Sequence, residues 1–276
     1  MTTTATFETR FRSVDGVRIR YAEGGRPDGP TVLLTSPWPE SVYAFAPIWD
    51  SLADRGRLFA VDLPGFGASD QPQELLSPRA LAGFLARLIE EVELGKPHIV
   101  APDVGTPAAL FAAAEGPERF AGLVVGTGAT AIPLELGEPL ASWVLDPDLE
   151  KYRAMDPRAI IDAAADTVAG GVPDEIREDY RECYDGERFV QSMLFARRYP
   201  EQLPELAELL PSIEAPVTIL CGSHDRVVPL ANAEFLDARL PNSSLRVIDA
   251  GHFVWEEEPA QYGSAVLESL LEKGVE

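Results

Sequence analysis

Basic side chains are scarce in this sequence. There are 23 Lys and Arg against 45 Asp and Glu, a formal net charge of −22 over 276 residues. A surface this acidic repels phosphate backbones and anionic lipids, so neither nucleic acid nor a membrane is an expected partner. It does not favour an anionic substrate either, and its plainest reading is solubility. Cysteine is nearly absent. Cys183 and Cys221 form neither a disulfide framework nor a metal spacing, and Cys221, ending an apolar run, reads as a small buried hydrophobe. No apolar run reaches the ~20 residues that span a bilayer. Met1 to Arg12 lacks the apolar core of a signal peptide, so a cytoplasmic setting is the expectation. There is no G-x-x-x-x-G-K-[ST], no G-x-G-x-x-G after a strand and no His/Cys cluster, so no cofactor and no metal are expected.

What is present is globular in composition, with 46% hydrophobic and 25% charged residues. A chain of this length buries a core large enough to shelter a site. Phe7–Ser13 and Val17–Glu23 alternate around Asp15-Gly16, a hairpin signal. Short apolar runs follow at Thr31–Leu34, Leu58–Val61, Ile99–Val100 and Leu123–Val125, each fitting a strand buried on both faces. Helical patterns lie between them. Leu81, Phe84, Leu85, Leu88, Ile89 and Val92 recur at helical spacing after an N-cap and N1 proline, Ser77-Pro78. Thr106–Ala114 is small and alanine-rich, as a helix pressed on a sheet should be. This alternation predicts an α/β fold, a mostly parallel sheet with helices on both faces.

The rhythm breaks between about 131 and 210, where helical stretches occur without a strong strand. It resumes with Val217–Leu220, a helix over Ala231–Leu240, a strand at Leu245–Ile248 and a last helix over Glu258–Leu271. The expected organisation is a core of residues 1–130 and 211–276, with a helical lid of residues 131–210 inserted after the sixth strand.

One segment concentrates the chemistry. A strand runs into Ala101-Pro102-Asp103-Val104-Gly105 and then into a helix. Small residues two positions either side of Asp103 make a small-x-nucleophile-x-small elbow, a turn that pushes the central side chain out over the sheet. The helix N-terminus beside it favours negative charge. A bland reading is also available, since an aspartate before a helix commonly serves as its N-cap. Two later loops follow strands in the same way: Gly222-Ser223-His224-Asp225-Arg226-Val227-Val228-Pro229, and Asp249-Ala250-Gly251-His252-Phe253. The order Asp103, Asp225, His252 is nucleophile, acid, base.

These motifs resemble the α/β-hydrolase family, and within it the branch with an aspartate nucleophile, which includes epoxide hydrolases and haloalkane dehalogenases. The resemblance extends over nearly the whole chain. It implies that Asp103 attacks saturated carbon, that Asp225 fixes the tautomer of His252, and that His252 activates the water that cleaves the resulting ester. A carboxylate is poorly suited to attack at carbonyls, because the leaving group simply returns. His98 and His224 are read as structural. Ser36-Pro37-Trp38-Pro39-Glu40-Ser41 falls where the family has H-G-x-P, and Trp38-Pro39-Glu40-Ser41 looks like the W/F-P-E-S of many epoxide hydrolases. Ser36 and Pro37 depart from that pattern, yet the implied oxyanion donors, the N–H groups of Trp38 and Val104, survive. Asp62-Leu63-Pro64-Gly65-Phe66-Gly67 resembles the family's D-x-P-G-x-G turn and reads as structural.

The resemblance implies an epoxide hydrolase acting on a small apolar substrate, with a lid tyrosine as acid. Tyr152, Tyr180, Tyr184 and Tyr199 supply candidates, and Phe195 stands where one such tyrosine is expected. Trp38, Trp143 and Phe253 complete the expected substrate pocket. A haloalkane dehalogenase with the same triad is the alternative. Against it, Val104 follows the nucleophile where dehalogenases place Trp, although the Trp38 indole is available as a donor. A non-hydrolytic binding protein, isomerase or cyclase on this scaffold is a third reading, motivated by Ser36-Pro37. A homodimer is compatible with the sequence.

Overall fold

The computed structural model describes residues 7–271. Eight strands form one sheet: β1 (Arg10–Val14), β2 (Val17–Gly25), β3 (Thr31–Thr35), β4 (Arg57–Val61), β5 (His98–Pro102), β6 (Gly122–Gly126), β7 (Val217–Gly222) and β8 (Ser243–Ile248). Their order across the sheet is β1-β2-β4-β3-β5-β6-β7-β8. β1 and β2 pair antiparallel, β2 joins β4 antiparallel, and every pairing from β4 to β8 is parallel. Asp15 and Gly16 both have positive φ, 49° and 77°. That is the two-residue turn that an Asp-Gly hairpin requires. β1 starts three residues later than the alternation suggests, because Phe7 leaves the sheet and packs its ring on Trp49 at 4.0 Å.

Parallel strands need crossovers, and helices supply them. α1 (Trp49–Ala53) follows β3, α2 (Pro78–Glu91) follows β4, and α3 (Gly105–Glu115) leaves β5. Ser77 caps α2, its hydroxyl accepting from the Ala80 N–H at 3.2 Å. α2 packs on α3, and after the insertion the last helix, Pro259–Leu271, packs on α1, β6 and β7. Every residue of β5, β6 and β7 is buried, so both faces of the central sheet are covered. This is why those strands read as continuous apolar runs rather than alternating ones.

Between β6 and β7 lie, among the described residues, five α-helices and no strand: α4 (Leu140–Leu145), α5 (Pro157–Ala165), α6 (Asp174–Cys183), α7 (Arg188–Ala196) and α8 (Tyr199–Leu209). α4 packs on α7 and α5 on α6, while α8 settles onto the core helices α2 and α3. The core resumes with α9 (Ala231–Asp237), the single turn α10 (Val254–Glu257) and α11 (Pro259–Leu271). No helix of the described residues is long and apolar enough to cross a membrane.

Candidate active site

β5 ends in a strained turn. Asp103 has φ +52°, a left-handed conformation that costs a non-glycine residue energy and recurs at functional turns. The elbow is held from several sides. The Asp103 N–H bonds the Gly126 carbonyl at 2.9 Å, and the Asp103 carbonyl accepts from the Thr106 N–H at 3.0 Å. The Thr106 hydroxyl lies 2.9 and 3.0 Å from the Ala101 and Gly126 carbonyls. Gly105 is small of necessity, because a Cβ there would come within 2.3 Å of the Thr35 hydroxyl. The N-cap of α3 is Val104, so Asp103 is not the capping residue.

The Asp103 carboxylate is buried and points at two loops. Its Oδ2 accepts from the Trp38 N–H at 2.6 Å, and the Val104 N–H adds to the field that favours its charged form. Its Oδ1 faces Nε2 of His252 at 3.9 Å. Nδ1 of His252 lies 2.8 Å from Oδ2 of Asp225, and Oδ1 of Asp225 accepts from the N–H groups of Val227 and Val228, both at 2.8 Å. The three residues come from the C-terminal ends of β5, β7 and β8, where parallel sheets of this kind present their loops.

Burial sets the electrostatics. The side chains of Asp103 and His252 are 7% and 8% exposed. Desolvation pushes the Asp103 carboxyl up to about 6, against the opposing pull of His252 and of the two N–H donors. Burial disfavours a charged His252, but Asp225, then Asp103 and Glu257, outweigh it, and the imidazole pKa is raised. The other two histidines lie elsewhere. His98 is in β5, and the exposed His224 ring meets Asp249 at 2.9 Å.

The surroundings of Asp103 are aromatic. The Trp38 ring stacks on Phe189 at 5.3 Å and meets the edge of Trp143 at 5.4 Å. Phe253 packs on His252 at 5.0 Å. The Trp38 indole N–H is buried with no hydrogen-bond partner, as are the Thr35 and Ser36 hydroxyls. The insertion therefore places two aromatic side chains directly over the loop that carries Trp38. A surface cavity of about 620 Å³ lined by Ala46, Gly170, Gly171, Glu256 and Glu257 lies to one side and includes none of Asp103, Asp225 and His252.

The four tyrosines of the insertion separate clearly. The Tyr152 hydroxyl donates to the Ser142 carbonyl within the insertion at 3.0 Å. Tyr180 bonds Oε1 of Glu256 at 2.9 Å. Tyr184 donates to the Glu40 carbonyl at 2.9 Å and accepts from the Gly67 N–H at 3.0 Å. Tyr199 alone of the four has no hydrogen-bond partner among the described residues. It is 2% exposed, and burial, then the charge of Asp103, push its phenol well above the ordinary value. Phe195 stands edge-on to it at 5.8 Å.

Two buried charge clusters flank the site, and neither is legible as such in the sequence. Oε2 of Glu40 accepts from the Trp255 indole at 2.9 Å, and beside it Oε1 of Glu256 accepts from the Tyr180 hydroxyl at 2.9 Å. Burial, and then the charge of Glu256, raise Glu40 well above the carboxylate range. The second cluster centres on Arg20 of β2. Its guanidinium meets Asp62 at 2.6 Å and grips Asp179 of α6 at 2.5 and 3.0 Å. Asp62, which the sequence places in a structural turn, also accepts from the Val42 and Ala68 N–H groups at 2.8 and 2.9 Å.

An elbow, a loop acid and an imidazole at the ends of β5, β7 and β8 agree with the comparison to known proteins. A family described as the alpha/beta hydrolase fold matches residues 30–259. The chain belongs to the α/β-hydrolase family. This α/β-hydrolase is 30% identical over 275 residues to a 2-hydroxy-6-oxononadienedioate/2-hydroxy-6-oxononatrienedioate hydrolase of Burkholderia vietnamiensis (strain G4 / LMG 22486), spanning 92% of this chain and 91% of that protein. Among solved structures it is similar to Cfl2 from Burkholderia cenocepacia, with a TM-score of 0.83, 27% identity and 95% of each chain covered. It also shares its fold with the haloalkane dehalogenase DbeA from Bradyrhizobium elkani USDA94, with a TM-score of 0.77, 23% identity and 96% and 98% of the two chains covered. No group of three or more His, Cys, Asp and Glu able to hold a metal occurs among the described residues.

Proposed function

We propose that this α/β-hydrolase belongs to the aspartate-nucleophile branch and opens a small apolar epoxide to a diol. The observation that carries the reading is the aspartate itself, at φ +52° on the elbow, with one oxygen held by the Trp38 N–H and the other facing His252. A carboxylate at an acyl carbon gives an anhydride whose leaving group returns. At saturated carbon it gives a stable ester. That argues against the acyl chemistry of a dioate substrate and for alkyl transfer.

Oδ1 of Asp103 attacks an epoxide carbon, the C–O bond breaks, and the ring oxygen takes a proton. Tyr199 is the donor in this reading, because its phenol lies within the field of Asp103, has no internal partner and stays protonated. A hydroxyalkyl ester on Asp103 results. His252, oriented by Asp225, then takes a proton from water, whose oxygen attacks the Asp103 carboxyl carbon. The N–H groups of Trp38 and Val104 hold the oxyanion that forms on Oδ2. Collapse breaks the bond from the carboxyl carbon to Oδ1, the departing alkoxide takes the proton of the new carboxyl group and leaves as the diol, and the proton held by His252 restores the Tyr199 phenol. The helices of 131–210 act as the lid, closing a site in which Asp103 is only 7% exposed.

One observation favours dehalogenation as the second reading: the Trp38 indole N–H is buried and unpartnered, a donor suited to a departing halide. Intact mass of the His252→Ala variant after incubation with epoxides and with haloalkanes separates the two. A gain of one whole epoxide supports ring opening. A gain of an alkyl group with halide released supports dehalogenation. No ester from either class counts against a nucleophilic Asp103.

A further inference from the structure

His252 must present Nε2 to a water while Nδ1 stays on Asp225. The side chain is held by Asp225, but the backbone that carries it is a loop between β8 and α10. That loop has its own clamp. Oε2 of Glu257 accepts from the Gly251 N–H at 2.8 Å, and Oε1 accepts from the Phe253 N–H at 3.1 Å. The two N–H groups flank His252 on either side. One carboxylate therefore holds the Ala250–Gly251 and His252–Phe253 peptide units, one on each side of the base. The fit is tight: a Cβ on Gly251 would stand 2.8 Å from Oε1 of Glu257. Bonds of this kind, from backbone N–H to a carboxylate, are the stronger sort. The negative charge also adds to those of Asp225 and Asp103 that favour a protonated His252.

We infer that Glu257 is a positioning residue for the catalytic base, setting the loop from which His252 reaches both Asp225 and the water. It touches neither substrate nor ester. Its effect falls on the step that uses His252 and spares the step that does not. The inference rests on the proposed two-step reaction for its kinetic consequence, but its structural content is independent of any substrate.

Two measurements on Glu257→Gln and Gly251→Ala test it. Gln preserves size and one acceptor oxygen, and Ala at Gly251 displaces the carboxylate while leaving it in the chain. The first is the imidazole 1H–15N spectrum, with His252 assigned by its loss in His252→Ala. In both variants the Nδ1–H···Asp225 resonance should shift or broaden and the imidazole pKa should fall. Spectra superimposable on the native one would overturn the inference whatever the substrate proves to be. The second is pre-steady-state mass analysis with an epoxide. Ester should form within about threefold of the native rate and decay on the order of tenfold more slowly, so that ester accumulates. Equal losses in both steps would mean a general structural role and overturn the inference. His252→Ala is the control: if that variant forms no ester, the proposed function has failed, and the spectra still decide the role of Glu257.

Discussion

Asp225 divides its two oxygens between two tasks: Oδ2 lies 2.8 Å from Nδ1 of His252, and Oδ1 takes the Val227 and Val228 N–H groups. The backbone bonds lock the carboxylate so that the imidazole meets a fixed acceptor. The Asp225→Asn variant keeps an oxygen for the backbone and turns an N–H towards His252. This favours the wrong tautomer. We expect hydrolysis of the ester to slow by on the order of 10³–10⁴-fold, as in related triads, with ester formation nearly retained. Single-turnover kinetics separate the two steps.

The proposed nucleophile makes a pH prediction. With the Asp103 carboxyl pushed up to about 6 by burial, kcat/KM should fall below pH 6, about tenfold per unit. A pH–rate profile flat from 7 to 4 would be inconsistent with this. The same shift makes a prediction for stability. The folded pKa is above the unfolded one, so folding favours the neutral form. The cost is absent below about pH 4, grows as pH rises, and is complete above 6. The Asp103→Asn variant tolerates the left-handed backbone and should be more stable than the native chain at pH 8, by roughly 1–3 kcal/mol. At pH 4 the gain should vanish. Urea denaturation at the two pH values measures it.

Ester formation removes the Asp103 charge, one of those holding His252 protonated. The imidazole pKa should therefore drop when the ester forms, freeing the base at the moment it is needed. Hydrolysis of preformed ester should show its acid limb at lower pH than the titration of His252 in the resting enzyme. NMR titration and single-turnover decay supply the two values.

Tyr199 distinguishes the two chemistries. The Tyr199→Phe variant loses only a hydroxyl that bonds nothing in the resting enzyme. Epoxide opening should slow by about 10²-fold or more. Halide displacement from a haloalkane needs no proton and should be unchanged. Equal epoxide rates in the two proteins would remove Tyr199 from the reaction.

Glu40 is buried beside the charge of Glu256. Folding raises Glu40 above its unfolded pKa, mainly through burial, so its contribution is best at low pH and worsens as pH rises past the ordinary carboxylate value. The Glu40→Gln variant imitates the neutral form while still accepting from Trp255. It should match the native chain at pH 5 and exceed it at pH 9 by about 1 kcal/mol, read as a rise in Tm.

The strand–helix alternation and the strand-end loops that bring Asp103, Asp225 and His252 together are legible in the sequence because each is signalled locally. A buried strand leaves a continuous apolar run, and an elbow leaves small residues two positions away, as Gly105 against Thr35 shows. The tyrosines are not legible in the same way. Tyr184 spends its hydroxyl on Glu40 and Gly67, 144 and 117 residues away, and nothing near it in the chain announces this. Glu257 hides in the acidic run Glu256-Glu257-Glu258, which reads as solvated surface. Only the geometry shows that Glu256 faces Glu40 while Glu257 turns back to the His252 loop. Phe7 continues an alternating pattern yet leaves the strand, because Trp49 offers a better contact for its ring than solvent does.

Arg20 has a consequence for how this chain can be altered. Its guanidinium, 6% exposed, is matched by Asp62 from the core and by Asp179 from the insertion. Half of its counter-charge is thus on loan from another part of the molecule. A buried guanidinium deprived of a partner is strongly destabilising, whereas an apolar replacement for the whole group is often neutral. Core and insertion are therefore not interchangeable modules. A chimera that imports the helices of a relative carries over an incompatibility on β2, far from the elbow, and recovers only when Arg20 is exchanged along with them.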